Sequence, residues 1–149
     1  MADLTKRKIR DMKEVKFRQA FTSSGRVMLA GKDAEQNEAL VWQAESGETV
    51  LHTKAAGSPF VNIKGEEKSS VKDIKEAAVF CAKYSRDWKK SHGDVEIHVF
   101  LKKDIFKEKG MNLGTFGVKK FKKVIIKKKV LGDFEKREKK DQLLKEALE

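Results

Sequence analysis

Short apolar stretches bounded by polar or turn-forming residues organise the chain between residues 17 and 101. Apolar side chains occupy every second position from Val95 to Leu101, with Glu96 and His98 between them, which predicts a strand with one buried face. Ser23-Ser24-Gly25 has the composition of a hairpin turn. Four further stretches are interpreted as strands: residues 17–21, 27–30, 49–52 and 60–64.

Two segments instead carry helical signals. Asp33 and Gln36 have the spacing of a helix N-cap and its reciprocal partner, which predicts a helix over residues 33–44. Ser70 and Asp73 form a capping-box pattern, and apolar residues then recur at three- and four-residue steps as far as Trp88. This second pattern predicts one long helix that ends at Gly93.

The remaining segments complete a single-domain pattern. Residues 118–131 have the β-branched and aromatic content of one or two strands, and residues 133–149 are typical of a charged helix. The order ββα-ββα-ββ-α predicts an α+β domain, with a mostly antiparallel sheet, two flanking helices and a C-terminal helical tail. We expect a basic N-terminal extension at 1–16, the domain at 17–131 and the charged helix at 132–149.

Composition narrows the class of protein. The 149 residues suffice for one domain with a buried core, and no apolar run approaches the roughly 20 residues that a membrane span needs. The first residues lack the apolar core of a secretion signal, so a cytoplasmic location is expected. With Cys81 as its single cysteine, the chain has no internal disulfide and no cysteine-based zinc cluster.

The positive charge is concentrated in one part of the chain. The formal net charge is +11, of which residues 102–131 carry +9, residues 1–16 carry +3 and residues 132–149 carry −1. Residues 17–101 are neutral overall. A clustered excess of this kind is the electrostatic signature of a site that binds a polyanion such as nucleic acid.

Residues 102–131, the lysine-rich segment, contain eleven lysines against two acids. Lysines on strands and loops contact successive phosphates, and interleaved glycines let a backbone approach them closely. Two interpretations stay open, since lysines also protect an edge strand from aggregation. Phe116 and Phe121 either stack on unpaired bases or pack in the core.

Catalysis finds little support in the sequence. His52, His92 and His98 have no Cys, His or carboxylate nearby at metal-ligand spacing, and no nucleophile motif is present. We therefore expect no enzyme activity, no cofactor and no metal. A nuclease that uses Asp33 and Glu38 is the least favoured alternative.

One string of residues is more specific than any of these patterns. The run Gly31-Lys32-Asp33-Ala34-x-Gln36-Asn37-Glu38-x-Leu40-Val41 resembles the signature of the NFACT-R domain, the RNA-binding module of the NFACT proteins. Weaker blocks on both sides of this string match the family in order over roughly residues 15–131, although Lys54 replaces a usual acidic residue. These blocks are Ser24-Gly25, His52, Gly57-Ser58, Glu76-Ala77-Ala78, Ser85, Trp88 and Gly114-Thr115-Phe116.

The resemblance implies a non-catalytic module that binds rRNA or tRNA in ribosome-associated quality control or translation, with the large ribosomal subunit as partner. Two alternatives remain: a protein-interaction module that recruits a partner through its terminal helix, and a general binder of nucleic acid, including DNA. The residues expected to contact RNA are Lys32, His52, Lys54, Lys64, Lys102, Lys103, Lys107, Lys109, Lys119, Lys120, Lys122 and Lys123.

Overall fold

A computed structural model describes residues 15–149, so the predicted basic extension lies outside the described residues except for its last two positions. Six strands form one antiparallel sheet in the order β1-β2-β4-β3-β5-β8, and β6 pairs with β7 as a small separate ribbon. The strands are β1 Arg18–Phe21, β2 Val27–Ala30, β3 Thr49–Thr53, β4 Val61–Ile63, β5 Val95–Leu101, β6 Ile105–Phe106, β7 Gly117–Val118 and β8 Lys122–Ile126.

Helices cover both faces of the sheet. The helices are α1 Ala34–Gln43, α2 Val71–Lys83, α3 Arg86–Ser91 and α4 Lys128–Leu148. On one face, α2, α3 and the start of α4 pack over Leu51, Val61 and Ile97 in the larger apolar core. On the other face, α1 and the β6–β7 ribbon pack over Val50 and Phe100 in a smaller core. The predicted α+β class with its antiparallel sheet is confirmed.

The prediction of one long helix that ends at Gly93 is wrong in one respect, because the segment forms two helices, α2 and α3. The capping box of Ser70 and Asp73 starts α2 as predicted. At the break, the Ser85 hydroxyl donates to the Ala82 carbonyl at 2.7 Å and accepts from the Trp88 N–H at 3.1 Å. Ser85 therefore closes one helix and caps the next, and Trp88 still reaches the core.

The strand content predicted for residues 118–131 is right only in part. β8 ends at Ile126, and α4 begins at Lys128, five residues before the expected helix start. The Asp94 carboxylate accepts from the Lys128 N–H at 2.8 Å and so caps the helix from a distant loop. Leu131, with 1% of its surface exposed, anchors this first turn in the larger core.

Strand β5 has two buried faces at its C-terminal end, where the sequence predicts one. Val95 and Ile97 are buried on the α2 face as expected, but Phe100 is buried on the α1 face. Alternation predicts which residues share a face, yet it cannot show that a second layer covers the polar face.

Candidate nucleic-acid interface

The α1 face of the sheet is covered at one end and open at the other. Val50 and Phe100 are register partners beneath α1 and the β6–β7 ribbon. Two residues further along their strands, His52 pairs with His98, and His98 pairs in turn with Lys123 of β8. Because side chains two apart share a face, these three residues form one row across β3, β5 and β8.

A cleft of about 750 Å³ lies over part of this open face, with His52, His98 and Phe100 among its lining. The start of α1 and the β3–β4 loop form two of its walls, while the β6–β7 loop and the junction of α2 with α3 contribute the others. A groove of this size, open to solvent, accommodates an extended ligand rather than a single ion.

Positive side chains dominate the lining of the cleft. Five bases line it, against the single carboxylate of Asp33. Asp33 is already engaged as the N-cap of α1, since its side chain accepts from the Gln36 N–H at 2.8 Å. A cleft that concentrates one sign of charge attracts polyanions. The five bases are Arg18, Lys32, Lys54, Arg86 and Lys89.

Packing fixes two of these bases at the wall. The Arg86 N–H donates to the Gly57 carbonyl at 2.9 Å, and the Arg86 side chain lies against Gly57. Arg18 places its guanidinium 4.1 Å from the centroid of the Tyr84 ring, an arrangement that favours a cation–π interaction. Lys32, Lys54 and Arg86 are exposed and free to contact solvent or ligand.

The signature string Gly31 to Val41 builds the wall at α1. Asn37 is buried, and its side chain accepts from the Phe60 N–H at 3.0 Å and donates to the Ser58 carbonyl at 3.2 Å. Asn37 thus ties α1 to the β3–β4 loop. A Cβ at Gly31 would overlap the Asn37 side chain, so this pairing requires glycine. Gln36 accepts from the Lys32 N–H, not from Asp33 as the capping pattern predicts.

Glu38 fixes the β6–β7 loop to α1. Its buried carboxylate accepts from the Lys107 ammonium at 3.0 Å and the Gly114 N–H at 2.8 Å, and from the Trp42 indole N–H at 2.6 Å. Burial alone would raise the pKa of Glu38, but these three donors hold it below its usual value. Gly114 has a φ of +78° and lies against Ala34, where a side chain would clash.

Aromatic rings cross the floor of the cleft. Phe116 meets Phe60 edge-on with centroids 5.7 Å apart, and Phe60 lies 4.2 Å from the His52 ring. On the next strand, His98 stacks on Phe121 with centroids 3.9 Å apart and planes 15° apart. The floor therefore combines apolar rings with a rim of positive charge.

His52 does not serve as a cation in this floor. Burial lowers the pKa of His52 below its usual value, so the imidazole is neutral near pH 7. Its Nδ1–H donates to the Thr53 carbonyl at 2.8 Å. His52 consequently presents a neutral ring to the cleft rather than a partner for phosphate.

Three lysines predicted as RNA contacts have their ammonium groups engaged inside the protein. Lys64 pairs with the buried Glu48 at 2.8 Å, and Lys102 donates to the Ala44 carbonyl at 3.0 Å. Lys107 is bound to Glu38 and to two loop carbonyls, those of Asn112 and Thr115. These internal bonds favour a structural role for all three.

The other predicted lysines are exposed and lie on several different elements. Lys32 and Lys54 line the cleft, and Lys123 is the register partner of His98, which also lines it. Strand alternation sends Lys122 to the α2 face of the edge strand β8, where it protects the edge. Of the remaining exposed lysines, Lys103 lies in a short 3-10 helix, Lys102–Asp104, and the others lie on loops: Lys109, Lys119 and Lys120.

The bases that the sequence analysis missed lie in the electrically neutral segment. Arg18, Arg86 and Lys89 belong to residues 17–101, in which acids and bases are equal in number. Folding separates these charges, because the β3–β4 loop meets α3 beside the cleft while most of the acids lie elsewhere. No local signal marks this separation in the sequence.

The residues that the structure describes contain no group of three or more His, Cys, Asp or Glu side chains placed to hold a metal ion. Burial raises the pKa of the Cys81 thiol to about 12, so it is not a thiolate nucleophile. Asp33 and Glu38, the acids of the nuclease alternative, are engaged by Gln36 and by Lys107 respectively. Within residues 15–149, no helix is long and apolar enough to cross a membrane.

The protein is thus a small α+β domain with a groove that has basic walls and aromatic rings on its floor. Such a groove is suited to bind nucleic acid. A model of the family described as the NFACT protein RNA binding domain matches residues 16–120. The chain belongs to this family of RNA-binding domains, as the resemblance of the Gly31–Val41 string predicts.

Among the solved structures of similar fold is part of a bacterial fibronectin/fibrinogen-binding protein. It is described as the structure of the C-terminal of the fibronectin/fibrinogen-binding protein from Streptococcus suis. The TM-score is 0.69 with 22% sequence identity, and the similarity covers 76% of this chain and 46% of that chain. At this identity the likeness establishes a shared fold. A search of curated proteins finds no significant match.

Proposed function

We propose that this protein is a non-catalytic module that binds RNA in the cleft. The observation that carries the proposal is the charge of the lining, which holds five bases and one already engaged carboxylate over a floor of aromatic rings. Family membership supports RNA as the polyanion. Binding would rest on phosphate contacts from the rim, which position a nucleic acid without reading its sequence.

We further propose that the RNA is rRNA or tRNA, that the large ribosomal subunit is the partner, and that the role lies in ribosome-associated quality control or translation in the cytoplasm. Residues 17–131 would form the RNA-binding domain, residues 1–16 a basic extension and residues 132–149 a charged helix. The proposed contacts are Lys32, Lys54 and Lys123 together with Arg18, Arg86 and Lys89.

Charge reversal in the cleft tests the proposal. The triple variant Lys54→Glu, Arg86→Glu and Lys89→Glu should lower RNA affinity about a hundredfold (about 2.7 kcal/mol) and reduce its dependence on salt between about 50 and 200 mM. The measurement is fluorescence anisotropy of a labelled RNA over a salt series.

The matched control is Lys68→Glu, Lys72→Glu and Lys75→Glu. It changes the net charge equally at three exposed lysines outside the cleft lining. It should lower affinity only severalfold. Equal losses in the two triple variants would show that net charge, and not the cleft, governs binding.

Sedimentation tests the ribosomal part separately. The unaltered protein should travel with large subunits in a sucrose gradient at low salt, and the cleft triple variant should not. RNA binding without association with subunits or with tRNA would leave a general RNA module. Equal affinity for DNA and RNA of one sequence would favour the general nucleic-acid alternative.

Interaction with a protein is the second candidate function. The distal turns of α4 expose Leu143, Leu144 and Leu148 to solvent, which is unusual for a helix that only solubilises a domain. Under this alternative, α4 would recruit a protein partner and RNA binding would be secondary.

A further inference from the structure

Phe121 presents an open aromatic ring beside the cleft. It lies in the β7–β8 connection directly before β8, and 45% of its surface is exposed. One face of the ring is occupied by His98, which stacks on it almost in parallel at 3.9 Å. The ring therefore has a backing partner on one side and solvent on the other.

The backing ring is held in place. The His98 Nε2–H donates to the Glu96 carboxylate at 2.7 Å, and His98 is only partly exposed. Lys54 and Lys123 lie close enough to Glu96 to stabilise its negative charge. Because Phe121 rests on this fixed His98 ring, it loses little rotamer freedom when a ligand stacks on its other face, which favours binding.

Phe121 also differs from the other ring that the sequence suggests for base stacking. Phe116 packs edge-on against Phe60 and has the Lys107 ammonium 4.5 Å from its centroid. Its ring is therefore already engaged in the smaller core. Of these two candidates, Phe121 is the more exposed.

Two lysines lie beside this open face. Lys120 precedes Phe121 in the chain, and Lys123 shares the sheet row of His98. An aromatic ring flanked by cations matches a nucleotide strand, whose bases stack while its phosphates contact the lysines.

We propose that the open face of Phe121, backed by His98, is a stacking site for an unpaired nucleobase. The domain then prefers single-stranded RNA to duplex RNA, because bases paired in a helix are already stacked on one another and cannot reach the ring. This inference rests on the proposed RNA-binding function and adds the kind of RNA that the cleft takes.

Substitution of the ring tests the proposal. Phe121→Ala should weaken binding of a single-stranded oligouridine about tenfold, leave affinity for an RNA duplex of equal length unchanged, and keep the salt dependence of both. Ile125→Ala is the matched control, since Ile125 is also 45% exposed and lies on the same face of β8. It should change either affinity less than about twofold.

A second variant gives a direct signal from the site. Phe121→Trp should retain affinity for the single strand, and its added fluorescence should be quenched by the single strand but not by the duplex. Thermal unfolding of each variant shows whether the fold is intact.

Unchanged single-strand affinity in Phe121→Ala, or equal losses for single strand and duplex, would overturn the stacking site and leave the cleft standing. Failure of the unaltered protein to bind either RNA would overturn the proposed function as well. In that case the cleft triple variant would also show no effect.

Discussion

In the folded chain, the bases of the cleft come from the neutral segment and not from the lysine-rich segment. Residues 17–101 have no net charge, yet they supply all five bases that line the cleft. Residues 102–131 carry a net charge of +9, yet two of their lysines, Lys102 and Lys107, bind internal oxygens. Linear charge density therefore marks this protein as basic, but the charged cleft is lined by bases from the neutral segment.

The contrast has a physical origin. A lysine near buried carboxylates and carbonyls satisfies them, as Lys107 does for Glu38 and Lys64 does for Glu48. A base whose neighbours are glycine, tyrosine or solvent keeps its charge available, as do Arg86 and Lys54. The environment of each ammonium or guanidinium group decides its role.

The largest expected effect is on stability and concerns the bond between Lys107 and Glu38, which gives Lys107 a structural role rather than one in RNA binding. Glu38→Ala removes the buried partner of Lys107 and leaves the Trp42 and Gly114 N–H groups without an acceptor. We expect the free energy of unfolding to fall by about 3 kcal/mol in urea titrations. Lys109→Ala, in the same loop but exposed, should change it by less than about 0.5 kcal/mol.

The pH dependence of stability checks the same pair. Because the pKa of Glu38 is lowered in the folded state, its carboxylate stabilises the fold above the pKa of the unfolded chain, about 4.3. That contribution is lost as the pH falls through the lowered folded pKa. The free energy of unfolding of Glu38→Gln should therefore fall less steeply with decreasing pH than that of the unaltered protein. The same decrease in both proteins would contradict this assignment.

A smaller effect separates two neighbouring lysines of β8. Lys123 faces the cleft side of the sheet and Lys122 faces the α2 side. Lys123→Glu should lower RNA affinity about fivefold (about 1 kcal/mol), and Lys122→Glu less than about twofold. Anisotropy titrations at one salt concentration measure both. If the two variants lose affinity equally, the lysine-rich segment binds RNA as a diffuse patch.

Local patterns in the sequence were sufficient for most of the fold. The capping box at Ser70 and the N-cap at Asp33 depend on neighbouring residues, and both are confirmed. The strand over residues 95–101 is also confirmed, although its alternation predicts a single buried face. The start of α4 is set by Asp94 and the burial of Phe100 by α1, both far away in the sequence. Contacts of that kind have no local signature.

The candidate site divides in the same way. The Gly31–Val41 string predicts the family from local sequence alone, and in the structure its Gly31 and Asn37 fit closely against each other. Lys32 and Lys54 could be proposed because they lie in or near family-like blocks. Arg18, Arg86 and Lys89 join them only through the tertiary meeting of β1, α3 and the β3–β4 loop.

The smallest expected effect concerns the end of α4, where the RNA-binding and protein-interaction hypotheses differ. Leu131 anchors the helix, and Lys83 bonds Glu138 at 2.8 Å and lies over the Phe134 ring. A chain that ends at Lys140 keeps all of these contacts and loses residues 141–149, which include the exposed leucines. Its RNA affinity should change less than about twofold, and its unfolding free energy by less than about 0.5 kcal/mol.

A chain that ends at Leu131 is the informative control. It loses the Phe134 and Glu138 contacts and should be less stable by about 1–2 kcal/mol, so any loss of binding there reflects folding. Loss of RNA affinity in the chain ending at Lys140 would place the RNA site on the tail. If that chain keeps its RNA affinity but no longer associates with ribosomal subunits, the exposed leucines would be assigned to a protein partner. In that case the cleft still binds RNA, and only the contact made by the end of α4 is lost.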